Sequence, residues 1–99
     1  MFSIRFEEQA VREMDLLRAF ERVRILEEVE AHLSREPLKE SRRKKVLHGL
    51  VPPWDQAGPL WQLRVGDLRV FYDVDEPNRT VIVRAIRRKP PHRTTKEIL

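Results

Sequence analysis

Arg64 and Arg69 flank Gly66–Asp67 in the segment WQLRVGDLRVFYDV, and that spacing is where chemistry first becomes possible. Gly-Asp between two alternating apolar runs predicts a two-residue hairpin turn with glycine at its first central position. The turn sets the register, pairing Val65 with Leu68, Arg64 with Arg69, Leu63 with Val70, Gln62 with Phe71 and Trp61 with Tyr72. Side chains alternate across a sheet. Trp61, Leu63, Val65, Leu68, Val70, Tyr72 and Val74 therefore share one face, and Gln62, Arg64, Arg69, Phe71 and Asp73 share the other. Like charges directly opposite each other destabilise a sheet. An anion between the two arginines removes that penalty, and a guanidinium fork matches two phosphate oxygens. Phe71 beside them offers a ring on which a base can stack. The competing reading is a structural network in which Asp73, Asp75 or a C-terminal acid neutralises the pair.

More cations stand on either side. Arg42, Arg43, Lys44 and Lys45 precede the hairpin, and Arg84, Arg87, Arg88 and Lys89 end the last apolar run, with His92 and Arg93 just beyond. Each run alone suits a solvated surface. Three of them converging on one sheet face suit a phosphate-bearing partner, RNA first among them. The charge is also segregated: residues 1–36 hold six basic and nine acidic side chains, residues 37–99 fourteen and seven. Segregation argues for a polyanionic partner more strongly than the net charge of +4 does.

The elements that must position these groups follow from periodicity. Phe2, Ile4 and Phe6 alternate with Ser3 and Arg5, the pattern of a half-buried strand. From Glu7 to Arg35 the apolar residues recur at threes and fours, and Pro37 stops the pattern. One helix of that length would span about 43 Å, at about 1.5 Å per residue, against a radius of gyration of about 13 Å for a domain this size. An antiparallel helix pair turning around Arg18–Arg22 is therefore expected. Residues 38–50 form a basic connector, and 51–59, rich in proline, form a loop. Leu60–Val65, Leu68–Val74 and Thr80–Arg88 read as strands, and His92–Leu99 as a tail with a helical turn. The expectation is one α+β domain over residues 1–99: a strand, a helix pair and a three-stranded antiparallel meander in one twisted sheet, in the order β-α-α-β-β-β.

Composition excludes several classes. With no cysteine there is no disulfide framework, thiolate nucleophile or zinc-thiolate site. No stretch approaches the roughly 20 apolar residues of a membrane span, and MFSIRFEEQA is not a signal peptide. A cytoplasmic protein with no metal and no small-molecule cofactor is expected.

The segment LHGL…PLWQLRVGDLRVFYDVDEPNRTVIVRAIRRK resembles the RelE/ParE superfamily of type II toxin–antitoxin toxins. The resemblance implies a helix pair packed on a twisted antiparallel sheet, and a cognate antitoxin as partner. The RelE-like branch implies metal-independent cleavage of mRNA on the ribosome, through attack of a 2′-hydroxyl on the adjacent phosphate. On that pattern Arg69 is the phosphate-binding arginine, Arg64 a stabiliser or base, and Lys89, or Arg88 if the register slips by one, the basic residue ending the last strand. Lys44, Lys45, Gln62, Phe71, Arg87, Arg88 and Arg93 would contact RNA. Gln62 stands where that branch has a second lysine, and Thr95 stands near the place of its C-terminal tyrosine. His92, of a residue type that titrates near neutrality, is the expected replacement for that tyrosine as the acid. The alternatives are a gyrase-inhibiting toxin of the ParE-like branch and an inert RNA- or partner-binding member.

Overall fold

The Phe2–Ile4–Phe6 alternation forms β1 (Ser3–Phe6), with Ile4 and Phe6 half-buried and Ser3 and Arg5 exposed, in a computed structural model that describes residues 1–99. Two helices follow, α1 (Glu8–Asp15) and α2 (Ala19–Leu33). The break falls at Leu16–Arg18, at the early edge of the expected turn, and no glycine or proline makes it. Arg18 turns extended instead, and its N–H donates to the Glu21 carboxylate at 3.2 Å, so a side chain on the next turn starts α2. The radius of gyration, 12.4 Å, shows why one long rod had no room. No helix is long and apolar enough to cross a membrane.

The basic connector holds a short strand that periodicity did not signal, β2 (Lys44–Val46). After the proline-rich loop come β3 (Trp61–Val65), β4 (Leu68–Asp75) and β5 (Thr80–Arg88), and the chain ends in the helical turn α3 (Thr95–Ile98). One sheet results, in the order β1-β5-β4-β3-β2, with β1 parallel to β5 and every other pair antiparallel. The β3–β4 register is the one the Gly66–Asp67 turn dictates, from Val65 opposite Leu68 to Trp61 opposite Tyr72. Gly66 has φ +61°, a conformation that glycine adopts without strain.

The two sheet faces have separate cores. Trp61, Leu63, Val65, Val70 and Tyr72 pack with Ala10 and Met14 of α1 and Ile25, Val29 and Leu33 of α2. On the opposite face Leu60, Phe71 and Ala85 lie under Leu47, Leu50, Trp54, Ile98 and Leu99, contributed by the loop and the C-terminal turn. This second cover is partial. Where it stops, the sheet is open.

Tyr72 anchors the first core: its buried hydroxyl donates to the Pro37 carbonyl at 2.7 Å, and burial pushes its ionisation above the usual tyrosine range. A folded-state value raised in this way contributes stability that is complete below the unfolded value of about 10 and is lost as pH rises through the folded one. Tyr72 is the only tyrosine in the chain, so alkaline tyrosinate absorbance reads it alone. The absorbance is expected to appear only together with loss of far-ultraviolet circular dichroism. Ionisation at about pH 10 with the fold intact would mean that the hydroxyl reaches solvent and anchors nothing.

Candidate nucleic-acid interface

Arg64 and Arg69 stand opposite each other on the open part of the sheet. The Arg64 N–H donates away from β4, to the Arg43 carbonyl at 2.8 Å. The arginines therefore occupy a non-hydrogen-bonded pair, the position at which facing side chains come closest. Arg69 Nη1 is held by the Gly66 and Leu68 carbonyls, each at 2.9 Å. Arg64 is exposed and has no acidic partner. Burial first, and then the charge of Arg64, lower the pKa of Arg69 from its usual value. The fold thus keeps two cations crowded together.

The acids expected to neutralise them in a structural network are committed elsewhere. Asp73 is fully buried against Arg84, whose Nε lies 2.8 Å from Oδ1, and Asp75 accepts hydrogen bonds from Asn78. The irregularity between Phe71 and Tyr72 in the β4–β5 pairing leaves Arg84 without a partner in the register. Asp73 therefore serves the strand pair and not the hairpin arginines.

Around the pair runs a groove of about 190 Å³ with no apolar and no acidic residue in its lining. Arg42, Arg43 and Lys45 border it from the connector, Arg64 and Arg69 from the hairpin, and Lys89 from the end of β5. Gln62 forms part of the floor, its Oε1 accepting from Thr95 Oγ1 at 3.2 Å. Thr95 of the C-terminal turn is thus a groove residue. Strand pairing explains the assembly: Lys45 lies opposite Gln62, and Arg43 adjoins Arg64. No local signal marks the connector as a strand, so periodicity alone does not reveal this alignment.

Several expected contacts take other roles. Phe71 is fully buried beneath the second core and has no free ring face for a base. His92 is exposed but does not line the groove, so Thr95, and not His92, occupies the tail's place in it. Arg87 lies opposite Arg69 but forms an ion pair with Glu13 and donates to the Ile98 and Leu99 carbonyls, fastening the C-terminal turn. Arg88 faces the helices, pairing with Glu21 of α2 and with Asp67 of the turn, each at 2.9 Å. Arg93 pairs with Glu97 at 3.2 Å, outside the groove. For the three arginines a nearby carboxylate decides, which a count of basic residues cannot reveal.

Lys44 borders the groove, yet it pairs with Leu63 and so directs its side chain to the helix face. Its ammonium donates to the carbonyls of His32 at 2.9 Å and Glu36 at 2.6 Å, closing the C-terminal end of α2. Burial lowers its pKa from the ordinary lysine value, and Glu36 opposes that shift. Lys44→Met is expected to destabilise the fold by about 1–3 kcal/mol, with RNA affinity of the folded protein unchanged. Thermal melts and fluorescence anisotropy check the two halves. An unaltered melt with lost binding would return Lys44 to the interface.

A family model described as the ParE toxin of the type II toxin–antitoxin system parDE matches residues 4–89. No curated protein matches the chain in sequence. Among solved structures, the toxin–antitoxin complex RelBE2 of Mycobacterium tuberculosis is similar at TM-score 0.71 and 25% identity, covering 89% of this chain and 98% of that one. The archaeal RelE–RelB complex of Pyrococcus horikoshii follows at TM-score 0.66 and 23% identity, covering 94% and 98%. The isolated RelE toxin of E. coli has TM-score 0.70 at 18% identity, covering 96% and 89%. The last two likenesses concern the fold alone.

Proposed function

This chain belongs to the ParE toxin family of type II toxin–antitoxin systems; from the chemistry of its groove we propose that it acts on RNA, as a metal-independent endonuclease that cuts mRNA on the ribosome. The observation that carries this reading is the acid-free groove in which Arg64 and Arg69 face each other unneutralised. The reaction is attack of a ribose 2′-oxygen on the neighbouring phosphorus. That oxygen–phosphorus bond forms and the bond to the 5′-oxygen breaks, leaving a cyclic phosphate and a 5′-hydroxyl. The two guanidinium groups meet the charge that builds on the phosphoryl oxygens, where preorganised cations have most effect. The ammonium of Lys89 hands a proton to the leaving 5′-oxygen, and the proton of the 2′-hydroxyl passes to water.

A cognate antitoxin is the second partner in this reading. Leu16, in the break between the helices, and Phe20 and Val23, at the start of α2, are 86%, 67% and 54% exposed, apolar side chains suited to an amphipathic segment. Acidic residues of the same segment would cover Arg64 and Arg69.

Inducing the chain in cells and mapping mRNA 5′ ends tests the proposal. Discrete cuts within translated codons are expected. Halted replication with intact mRNA would replace this reading with gyrase inhibition, which the match to the ParE family model favours. An unimpaired culture would leave only a binding role.

A further inference from the structure

The cationic surface continues past the hairpin. On the α2 side of the Gly66 turn, Arg24, Arg43, Arg64 and Arg69 border a second recess of about 400 Å³, which shares three of its arginines with the groove. Its lining, like that of the groove, contains no acid and no apolar side chain. Arg24 comes from the acidic half of the chain, is exposed and forms no ion pair. Its guanidinium lies against the turn: a Cβ at Gly66 would lie 3.0 Å from Arg24 Nη1 and 3.6 Å from its Cζ. The carbonyl of the same glycine holds Arg69 Nη1 at 2.9 Å. Two guanidinium groups thus meet on one residue.

Of the nearby carboxylates, two are engaged elsewhere and the third holds a lining arginine. Glu21 and Asp67 are held by Arg88, each at 2.9 Å. Glu28 binds His32 at 2.9 Å and Arg43 Nη1 at 3.3 Å, which fixes Arg43 between the two recesses. We propose that this recess is a second phosphate subsite, continuous with the groove, so that a single strand of RNA lays successive phosphates on both sides of the hairpin tip. The subsite rests on the RNA reading of the groove. An arginine cluster also recognises acidic peptide segments; RNA is favoured here because the recess is continuous with the groove, sharing Arg43, Arg64 and Arg69 with it.

Anisotropy with a labelled dinucleotide and a labelled octanucleotide tests the subsite on the full chain. Arg24→Ala is expected to weaken octanucleotide binding about tenfold, the order of one charge-assisted contact. It should also lower the salt dependence by about 0.7 in log–log slope, the release expected from one phosphate of a single strand. Dinucleotide affinity should be unchanged, and Arg24→Lys should keep most of the slope. An unchanged thermal midpoint shows that the fold is retained, and Arg24→Gln serves as the second variant. If Arg24→Ala leaves octanucleotide affinity and slope unaltered while Arg64→Ala weakens both probes, the subsite is overturned and the groove stands. If Arg64→Ala changes neither probe, the groove reading falls and the subsite with it. Equal competition by oligoglutamate of matched charge would assign the recess to a protein partner and overturn the proposal.

Discussion

Arg69→Ala is expected to slow RNA cleavage by about 10²–10³-fold, the loss that follows removal of one preorganised donor to a developing oxyanion. Arg69 already has its guanidinium fixed by the Gly66 and Leu68 carbonyls, so little reorganisation remains when phosphate arrives. Arg69→Lys keeps the charge but loses the fork, and should recover only part of the rate. Cleavage of a defined message in a purified translation system measures both. The Arg64 partner adds a signature that a structural network would not give. In the free protein the two cations repel across the strand pair, a penalty of about 0.2–1 kcal/mol for facing residues. Arg64→Ala should therefore leave the thermal midpoint unchanged or raise it, while RNA affinity falls. A variant that lost stability and affinity together would show instead that the pair is held by an acid and serves the fold. Inorganic phosphate or pyrophosphate should raise the midpoint of the wild-type chain through binding to the native state alone, and should do so less for Arg64→Ala.

The parts of this molecule that are legible in the sequence are those in which a local rule is sufficient. Gly66–Asp67 determines its own turn, and the turn determines the facing of Arg64 and Arg69, because strand pairing has no freedom once a two-residue loop is set. The apolar face of the hairpin follows for the same reason. What escapes depends on contacts between distant segments. Lys44 and Lys45 are adjacent and chemically alike, yet one side chain caps α2 and the other borders the groove, because β2 pairs with β3 in one particular register. Alternation puts Phe71 on the arginine face, where it does lie, but the loop and the C-terminal turn that cover it announce nothing by periodicity. Arg24 lies in the half of the chain with a negative balance, and only the packing of α2 beside the hairpin brings it to Gly66. Basic runs overstate the interface. Arg87 and Arg88 look like the rest of the cluster until Glu13 and Glu21 are seen beside them.

Asp73→Ala is expected to cost the fold more than Lys44→Met does, and the reason lies in what it would strand. The carboxylate is fully buried, accepts from Arg84 Nε at 2.8 Å and Nη2 at 3.2 Å, and also receives the backbone N–H groups of Ala57 and Gly58. Arg84 has only 14% of its side chain exposed, and its other contact is Glu7 at 3.2 Å. Removing Asp73 leaves a buried guanidinium half-paired and two loop N–H groups without an acceptor. Breaking a buried pair from one side costs about 3–5 kcal/mol, and each kcal/mol lowers the midpoint of a domain this size by about 4–8 °C. Asp73→Asn keeps a carbonyl for the loop amides and should lie between the alanine variant and the wild type. The double variant Asp73→Leu/Arg84→Met removes both charges together, and should recover much of the loss because no unpaired ion remains. A double variant as unstable as the sum of its parts would mean that the loop amides, and not the ion pair, carry the energy. Either way, Arg64 and Arg69 should still bind RNA wherever the variant remains folded, because Asp73 serves the strand pair farther along β4 and takes no part in the groove.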